Sequence, residues 1–414
     1  MTVQKWPDAP VSVESRASWV VAVAVLAIMS FAFGAPLVAV VGLKSLASDL
    51  GSTRSAAALG YSLAWLGAAT GGVVMGPIAE RVGVRWTAMG GAVMIGLGLI
   101  LSSRGGAWQL WIGHGVFIGL FGIAAMNAPF YVYVTRWFDR RRGTALALIA
   151  SGQYIAGVLW PLIFQEVIVR VGWQRAMEDF ALLEVAVVLP IAAIFLKPPP
   201  RLDPASGGHR TIDRQRMVLG LRSATAFALI SIAAFLCCVP MAMPQAHLVA
   251  FCGDLGIPPT SGAGMLSLAL AAAFVSRQIW GAISDRVGGL RTVLAASACQ
   301  ALSMVAFLAT RSEVGLFAAS AFFGLGFSGL IPAYVLAVRE LFPASEAAWR
   351  IPIFFLFGAS GMAAGGWLAG AIYDHAGYYA PAFAAGIAFN LANLAIVGLL
   401  VLRDRGPRRR PAFA

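Results

Sequence analysis

The stretch GPIAERVGVR at residues 76–85 recurs as GAISDRVGGLR at 281–291, an offset of 205 in a chain of 414 residues. Gly76, Glu80, Arg81, Gly83 and Arg85 thus correspond to Gly281, Asp285, Arg286, Gly288 and Arg291. Two further pairs follow in the same order. Pro129, Tyr131 and Arg136 match Pro332, Tyr334 and Arg339, and Ser151, Gly152 and Gly157 match Ser360, Gly361 and Gly366. Three matched sets with one order and nearly one offset mean a duplicated chain whose halves share a topology. In membrane carriers built from such repeats the solute site lies at the interface of the halves, near the bilayer midplane.

The composition demands a membrane. Apolar residues make up 59% of the chain and charged residues 12%, and the mean hydropathy is +0.81. A soluble domain carries about 45–50% apolar and about 25% charged residues, so this much hydrocarbon must face lipid. A helix needs about 20 apolar residues to cross a bilayer. Apolar runs bounded by charges and turn residues lie near 17–43, 56–79, 86–103, 107–134, 143–168, 176–196, 223–251, 262–284, 292–310, 314–338, 350–373 and 378–402. The expected fold is therefore an all-α membrane protein of twelve transmembrane helices, numbered here as spans one to twelve, in two six-helix halves. The expected division is 1–196 for the N-terminal half, 197–222 for a Pro- and Gly-rich mobile linker, and 223–414 for the C-terminal half with a basic tail.

A net charge of +12 suggests nucleic acid as a partner in a soluble chain, but here Lys and Arg sit in short clusters between apolar runs. Were the N-terminus cytoplasmic, the inside segments would hold 23 basic residues and the outside segments six: Lys44, Arg54, Arg104, Arg170, Arg175 and Arg311. That asymmetry places both termini and the linker inside the cell. The polar start before Ala17 and the length of the first apolar run speak against a cleaved signal peptide. Cys237, Cys238, Cys252 and Cys299 form no CxxC pair and read as packing residues.

The repeated acidic-Arg-x-Gly segment resembles the signature loop of the major facilitator superfamily, and the resemblance covers about residues 17 to 402. Two stretches narrow it. RWFDRRRG at 136–143, followed by ALAL and Ser151–Gly152, resembles the start of span five in the oxalate/formate antiporter and monocarboxylate transporter group, and SRQIWG at 276–281 resembles that group's span eight. The resemblance implies alternating access, with Arg277 binding a substrate carboxylate. It also exposes two departures. Ala273 stands where the animal monocarboxylate carriers place an Asp, and span eleven (IPIFFLFGASGMAAGGWLAG) lacks the Lys that gives the oxalate carrier a second cation. One cavity cation argues for a monocarboxylate, carried by proton symport or anion exchange.

The residues themselves point to Arg277 as well. It lies within span eight, about 10 Å from the end. A guanidinium at a span centre costs about 2.5–3.5 kcal/mol even on lenient scales, so it should face a wet cavity and meet an anion, or else snorkel or pair structurally. Asn127 and Tyr131 share a face of span four, and Gln153 and Tyr154 lie at similar depth in span five. His247, beside Gln245 near the outer end of span seven, is a further candidate for substrate or proton. Ordinary packing is the alternative for each of these. Glu184, the only carboxylate well inside a span, is a proton-coupling candidate or a structural acid. The repeated loops, through Glu80–Arg81 and Asp285–Arg286 with Arg85 and Arg291, are expected to latch the cytoplasmic face in the outward-open state. Gly67, Gly71, Gly72 and Gly76 are expected to let helices approach closely.

No GxxxxGK[ST], GxSxG or HExxH segment occurs, and the four histidines are scattered, so the chain reads as no enzyme, with no cofactor and no metal. The partners expected are a small organic anion and the lipid bilayer, not nucleic acid, with the chain a monomer in a cytoplasmic or inner membrane. A carrier or efflux pump for larger amphipathic or aromatic, drug- or vitamin-like solutes is the alternative. For topology, a single cysteine from Ser206→Cys should be inert to impermeant thiol reagents added to intact cells and reactive in inverted vesicles; labelling from outside would reverse the orientation.

Overall fold

The computed structural model describes residues 14–199 and 217–404, and nearly all of them are helical. Ten helices are long and apolar enough to cross a membrane: Arg16–Val41, Arg54–Val82, Val84–Ser102, Ala107–Thr135, Ser223–Asp254, Pro259–Val287, Gly289–Ala309, Glu313–Leu341, Trp349–Ala376 and Ala380–Arg403. These are spans one to four and seven to twelve. Spans five and six form the helical stretch from Arg142 to Phe195, which Gly172 divides by leaving helical geometry at φ 84°, ψ 164°. Twelve spans result, and the expected polar loop between five and six is a single-residue turn. Glycine serves there because the left-handed region costs other residues a clash with Cβ. Of the expected linker, 200–216 lies outside the described residues. Its end is ordered: Met217–Val218 and Leu221–Arg222 pair as a small antiparallel hairpin through Leu219 and Gly220, both at positive φ.

The sequence repeat is a structural repeat. Spans two and eight are both 29 residues long and begin 205 positions apart, at Arg54 and Pro259. Each ends on a glycine at positive φ, Gly83 at 97° and Gly288 at 86°, which turns the chain straight into the next span. The paired Ser-Gly motifs of spans five and eleven have equivalent neighbours. A Cβ on Gly152 would strike Met29 and the Leu26 carbonyl of span one, and one on Gly361 would strike the Phe235 carbonyl of span seven. Gly157 meets Leu270 of span eight, and Gly366 meets Tyr61 and Ser62 of span two. In each motif, then, the first glycine packs within its own half and the second packs across the seam.

Lipid offers no hydrophobic drive between helices, so close backbone approach and polar links hold the bundle. Gly67 and Gly71 in span two lie against the Gly115 and Leu120 carbonyls of span four, where the helix widens to a π-helix over Gly113–Ile123. Gly72 makes only ordinary contact and Gly76 faces open space, so close packing involves two of the four glycines expected to provide it. In the C-terminal half a fully buried polar chain joins spans seven, nine, ten and twelve. Gln300 donates to the Cys237 carbonyl and accepts from Asn390, Ser297 donates to Asn390 and accepts from Asn393, and Tyr334 donates to Asn393. The four cysteines are free; three are buried and Cys299 is half-buried.

Gly71→Val should destabilise the protein by about 1–3 kcal/mol through overpacking, lowering the melting midpoint in detergent, whereas Gly76→Val should stay within about 1 kcal/mol of the parent. Equal midpoints for the two variants would contradict the assigned packing.

Candidate functional site

Span one begins, span six ends, span seven begins and span twelve ends on one face of the bundle, called here the terminal face. Helix packing brings spans one, two, four, five, seven, eight and ten around a central seam, and this assembles most of the predicted residues. The Arg277 guanidinium lies over the Tyr154 ring, 5.1 Å from its centroid, and so bridges the halves. Tyr131 lies within electrostatic reach of both. Tyr154 also tilts against Phe327 of span ten, with ring centroids 6.5 Å apart. Asn127 sits one turn from Tyr131, and Gln153 adjoins Tyr154 and lines a cavity with Gln245, Phe33, Tyr61, Trp65 and Leu270. Its enclosed space is small, about 40 Å³, and it is open on one side.

These polar groups share a second property. Among the described residues, Asn127, Gln153, Gln245 and Arg277 have no hydrogen-bond or ion-pair partner, although Gln245 is buried and the other three are half-buried. The contrast with the saturated Gln300–Asn390–Ser297–Asn393 chain is physical. A polar group left unpaired in a bundle costs free energy, and protein interiors pair nearly all of them. An unpaired set converging on a cavity at the seam has capacity to spend on a solute. With one cation and no opposing carboxylate, the set is suited to a single negative charge.

Two predicted residues do not join it. His247 is fully buried, with both ring nitrogens engaged: Nε2–H donates to the Gly366 carbonyl at 2.7 Å, and Nδ1 therefore accepts from the Tyr379 hydroxyl at 3.0 Å. It belongs to the seam at the face opposite the termini. Glu184 is fully buried on the face of span six that also carries Ala181 and Val188, and neither carboxylate oxygen has a partner among the described residues. Its neighbour Val185 packs on Gly96 of span three, and Glu184 is not among the residues that line the cavity.

The seam at the opposite face carries a polar clamp that sequence reasoning missed. Arg54, opening span two, forks onto Asp254 at the end of span seven; its Nη2 donates to Oδ1 at 2.7 Å and its Nη1 to Oδ2. Lys44 Nζ adds a 3.0 Å contact to the same carboxylate. The guanidinium also donates to the Tyr379 hydroxyl at 3.0 Å and lies 3.7 Å above the Tyr373 ring. Asp374, ending span eleven, accepts from the backbone N–H groups of Arg54 and Ser55 at 2.8 and 2.9 Å, so its charge caps the positive end of span two. Partners 200 and 320 residues apart leave no local signal in the sequence. Only the excess of charge in otherwise short loops hinted at a function.

Among the described residues the terminal face has no such clamp between the halves. Among the described residues every hydrogen bond and ion pair between halves lies at the opposite face. Glu80 pairs at 3.5 Å with Arg136 of its own half, while Arg81, Arg85, Asp285, Arg286 and Arg291 have no ion-pair partner there. Gly76 and Gly281 border open space, and Gly83 and Gly288 serve as chain reversals. Polar links between the halves thus close the opposite face, and none joins the halves at the terminal face among the described residues. A further charge pair sits at this face in span eleven. Arg350, bonded to Glu346 and Ser223, is enclosed by the rings of Phe227, Phe342 and Trp349 and has no access to the seam cavity.

Comparison with known proteins gives a consistent picture. The profile of the Major Facilitator Superfamily matches residues 20–310 and again 230–414. The chain is 26% identical over 328 residues to the MFS-type transporter pynF of Aspergillus niger, covering 77% of this chain and 74% of that one. It is 25% identical over 333 residues to monocarboxylate transporter 13 of Bos taurus, covering 79% and 76%. Among solved structures it resembles a peptide transporter POT in complex with sulfate (TM-score 0.72, 15% identity, 93% and 96% covered). It also resembles a bacterial homologue of the human lysosomal transporter Spinster in an inward-facing, occupied conformation (TM-score 0.67, 13% identity, 92% and 94% covered). At such identities the structures establish the shared fold.

The clamp generates a prediction. Asp254→Asn removes the carboxylate that Arg54 and Lys44 share, so the opposite face should open more often. In a cysteine-free background carrying Ala68→Cys in the cavity wall, Asp254→Asn should raise labelling by impermeant reagents from the opposite face about tenfold, equivalent to about 1.4 kcal/mol. An unchanged labelling rate would show that the clamp does not hold the seam.

Proposed function

The chain belongs to the Major Facilitator Superfamily, and we propose that within it this protein is a secondary active transporter for a small organic anion, a monocarboxylate, carried by alternating access between the two halves. The observation that carries the reading is Arg277, a half-buried guanidinium at the seam that has no acidic partner among the described residues and is flanked by Tyr154 and Tyr131. A structural arginine at this depth would be expected to hold a protein carboxylate, as Arg350 holds Glu346. A guanidinium left free instead offers the two parallel hydrogen bonds that match a carboxylate. Tyr131 and Tyr154 can donate hydroxyl hydrogen bonds to the same anion, and Asn127 and Gln153 complete a polar collar.

The proposed cycle follows from the seam. With the clamp of Arg54, Asp254 and Asp374 closed, the cavity communicates with the terminal face, which the excess of Lys and Arg assigns to the cytoplasm. Opening the clamp while the repeated loops engage exposes the cavity to the other side. The solute drives this exchange only through a difference in its affinity for the two states. The coupling is proton symport or anion exchange. Ala273 rules out an Asp–Arg proton pair in span eight, and Glu184 is the buried acid proposed for a proton.

Arg277→Gln should weaken binding of the transported carboxylate about 10- to 150-fold, the loss of a charged hydrogen-bond pair of about 1.5–3 kcal/mol, without a fall in melting temperature. Arg277→Lys should restore part of this, because the ammonium keeps the charge and loses the fork. Counterflow in proteoliposomes with labelled mono- and dicarboxylates identifies the substrate. Wild-type affinity in purified Arg277→Gln would overturn the carboxylate reading in favour of efflux of uncharged or cationic amphipathic solutes.

A further inference from the structure

Arg277 and the seam cavity are two ends of one site. Leu270, in the cavity wall, and Arg277 are seven residues apart on span eight, two turns along the same face and about 10 Å in rise. On span five, Gln153 lines the cavity while its neighbour Tyr154 lies under the guanidinium. On span four, Ile123 lines the cavity and Tyr131, eight residues on, lies near Arg277. Three elements thus run from the anion anchor into the cavity. The far end is aromatic: Trp65 stands 6.2 Å from Phe33 and 6.3 Å from Tyr61, centroid to centroid, with Leu37 beside them. Of the two unpartnered amides in the cavity wall, Gln153 lies on the anchor side, beside Tyr154, and Gln245 lies at the depth of the aromatic corner.

A two- or three-carbon acid held on Arg277 would end well short of Trp65 and leave the apolar corner uncovered. Such walls bind by shedding water, and ligand sites of this kind are mostly apolar with a few placed polar groups. We infer that the solute is an amphipathic monocarboxylate, its carboxylate on Arg277 and an apolar or aromatic body reaching about 10 Å to stack against Trp65 as the seam widens around it, with a carbonyl, amide or hydroxyl along its length for Gln153 and at its far end for Gln245. The inference rests on the carboxylate reading of Arg277 and adds the identity of the body. It also accounts for the departure in span eleven. A single cation suits one carboxylate on a large neutral body, and the remaining affinity comes from burial.

The test is binding by the purified full-length protein in lipid nanodiscs. The probes are acetate, butyrate, hexanoate, 3-phenylpropanoate and indole-3-butyrate, each with its primary amide to correct for partition into lipid. On the unmodified protein the acid-specific affinity should rise about three- to fourfold per buried methylene, the equivalent of about 0.8 kcal/mol, and be greatest for the aryl acids. Trp65→Ala should remove the gain with length and pull the aryl acids at least tenfold toward the short-chain values, and Trp65→Leu should restore part of it. Arg277→Gln should weaken all the acids by a similar factor and leave their rank order intact. A flat series on the unmodified protein, or a slope that survives Trp65→Ala, overturns the amphipathic body; if Arg277→Gln still abolishes the preference for acid over amide, the carboxylate reading stands alone. Loss of that preference in the unmodified protein, or its persistence in Arg277→Gln, overturns both.

Discussion

A guanidinium carried into the middle of an apolar bundle needs an anion, and the described residues around Arg277 provide none. The cost of placing it there is compatible with a folded protein only if water or a solute completes its hydrogen bonds. That requirement explains the surroundings. The ring of Tyr154 offers a π face at 5.1 Å, which partly stabilises the cation without neutralising it. Asn127, Gln153 and Gln245 likewise keep their hydrogen-bonding capacity open. Elsewhere the chain pairs polar groups in the Gln300–Asn390–Ser297–Asn393 chain and in the caged Arg350–Glu346 pair, while Glu184, Arg350 Nη1 and several buried serines have no partner among the described residues. What distinguishes the site is that a guanidinium and three amides without partners among the described residues gather at one seam.

Movement about that site depends on a seam that is close-packed but not continuous. Gly157 and Gly366 let side chains of the opposing half press against bare backbone, and a substituent at either would collide with Leu270 or Tyr61. Contacts of this kind are short in range and can part without breaking covalent or hydrophobic order within a half. The polar clamp is added at one face only. Its fork, its tyrosine contacts and its helix-end cap all converge on Arg54, the first residue of span two. Moving span two away from spans seven and eleven would release every one of them together, which makes the closed face a two-position device.

His247 shows why a residue type alone does not assign a role. A histidine near the outer end of span seven suggests solute or proton binding, yet its two nitrogens are committed to Tyr379 and Gly366, and through Tyr379 it supports Arg54. It helps hold the clamp in register. Glu184 presents the reverse case. Its burial was legible from its place in an apolar run, but that its carboxylate finds no partner among the described residues was set by the packing of span six.

The sequence by itself determined the membrane, the number of spans, the duplication and the one cation inside the bundle. Each is local: hydropathy needs only about 20 neighbouring residues, a repeat needs only two stretches of one chain, and an Arg in an apolar run is conspicuous without coordinates. It also marked Asn127, Tyr131, Gln153 and Tyr154, because helical spacing fixes which residues share a face. The tertiary structure alone decided which faces meet. It paired Arg54 with Asp254 and Asp374 across 200 and 320 residues, withdrew His247 and Glu184 from the cavity, and brought Phe33, Tyr61 and Trp65 to its far wall. The physical reason is that a helix repeats its faces every turn but carries no record of its neighbours. In a bundle of mostly apolar surfaces, the partner is chosen by where backbone can approach backbone and by which distant charge answers which.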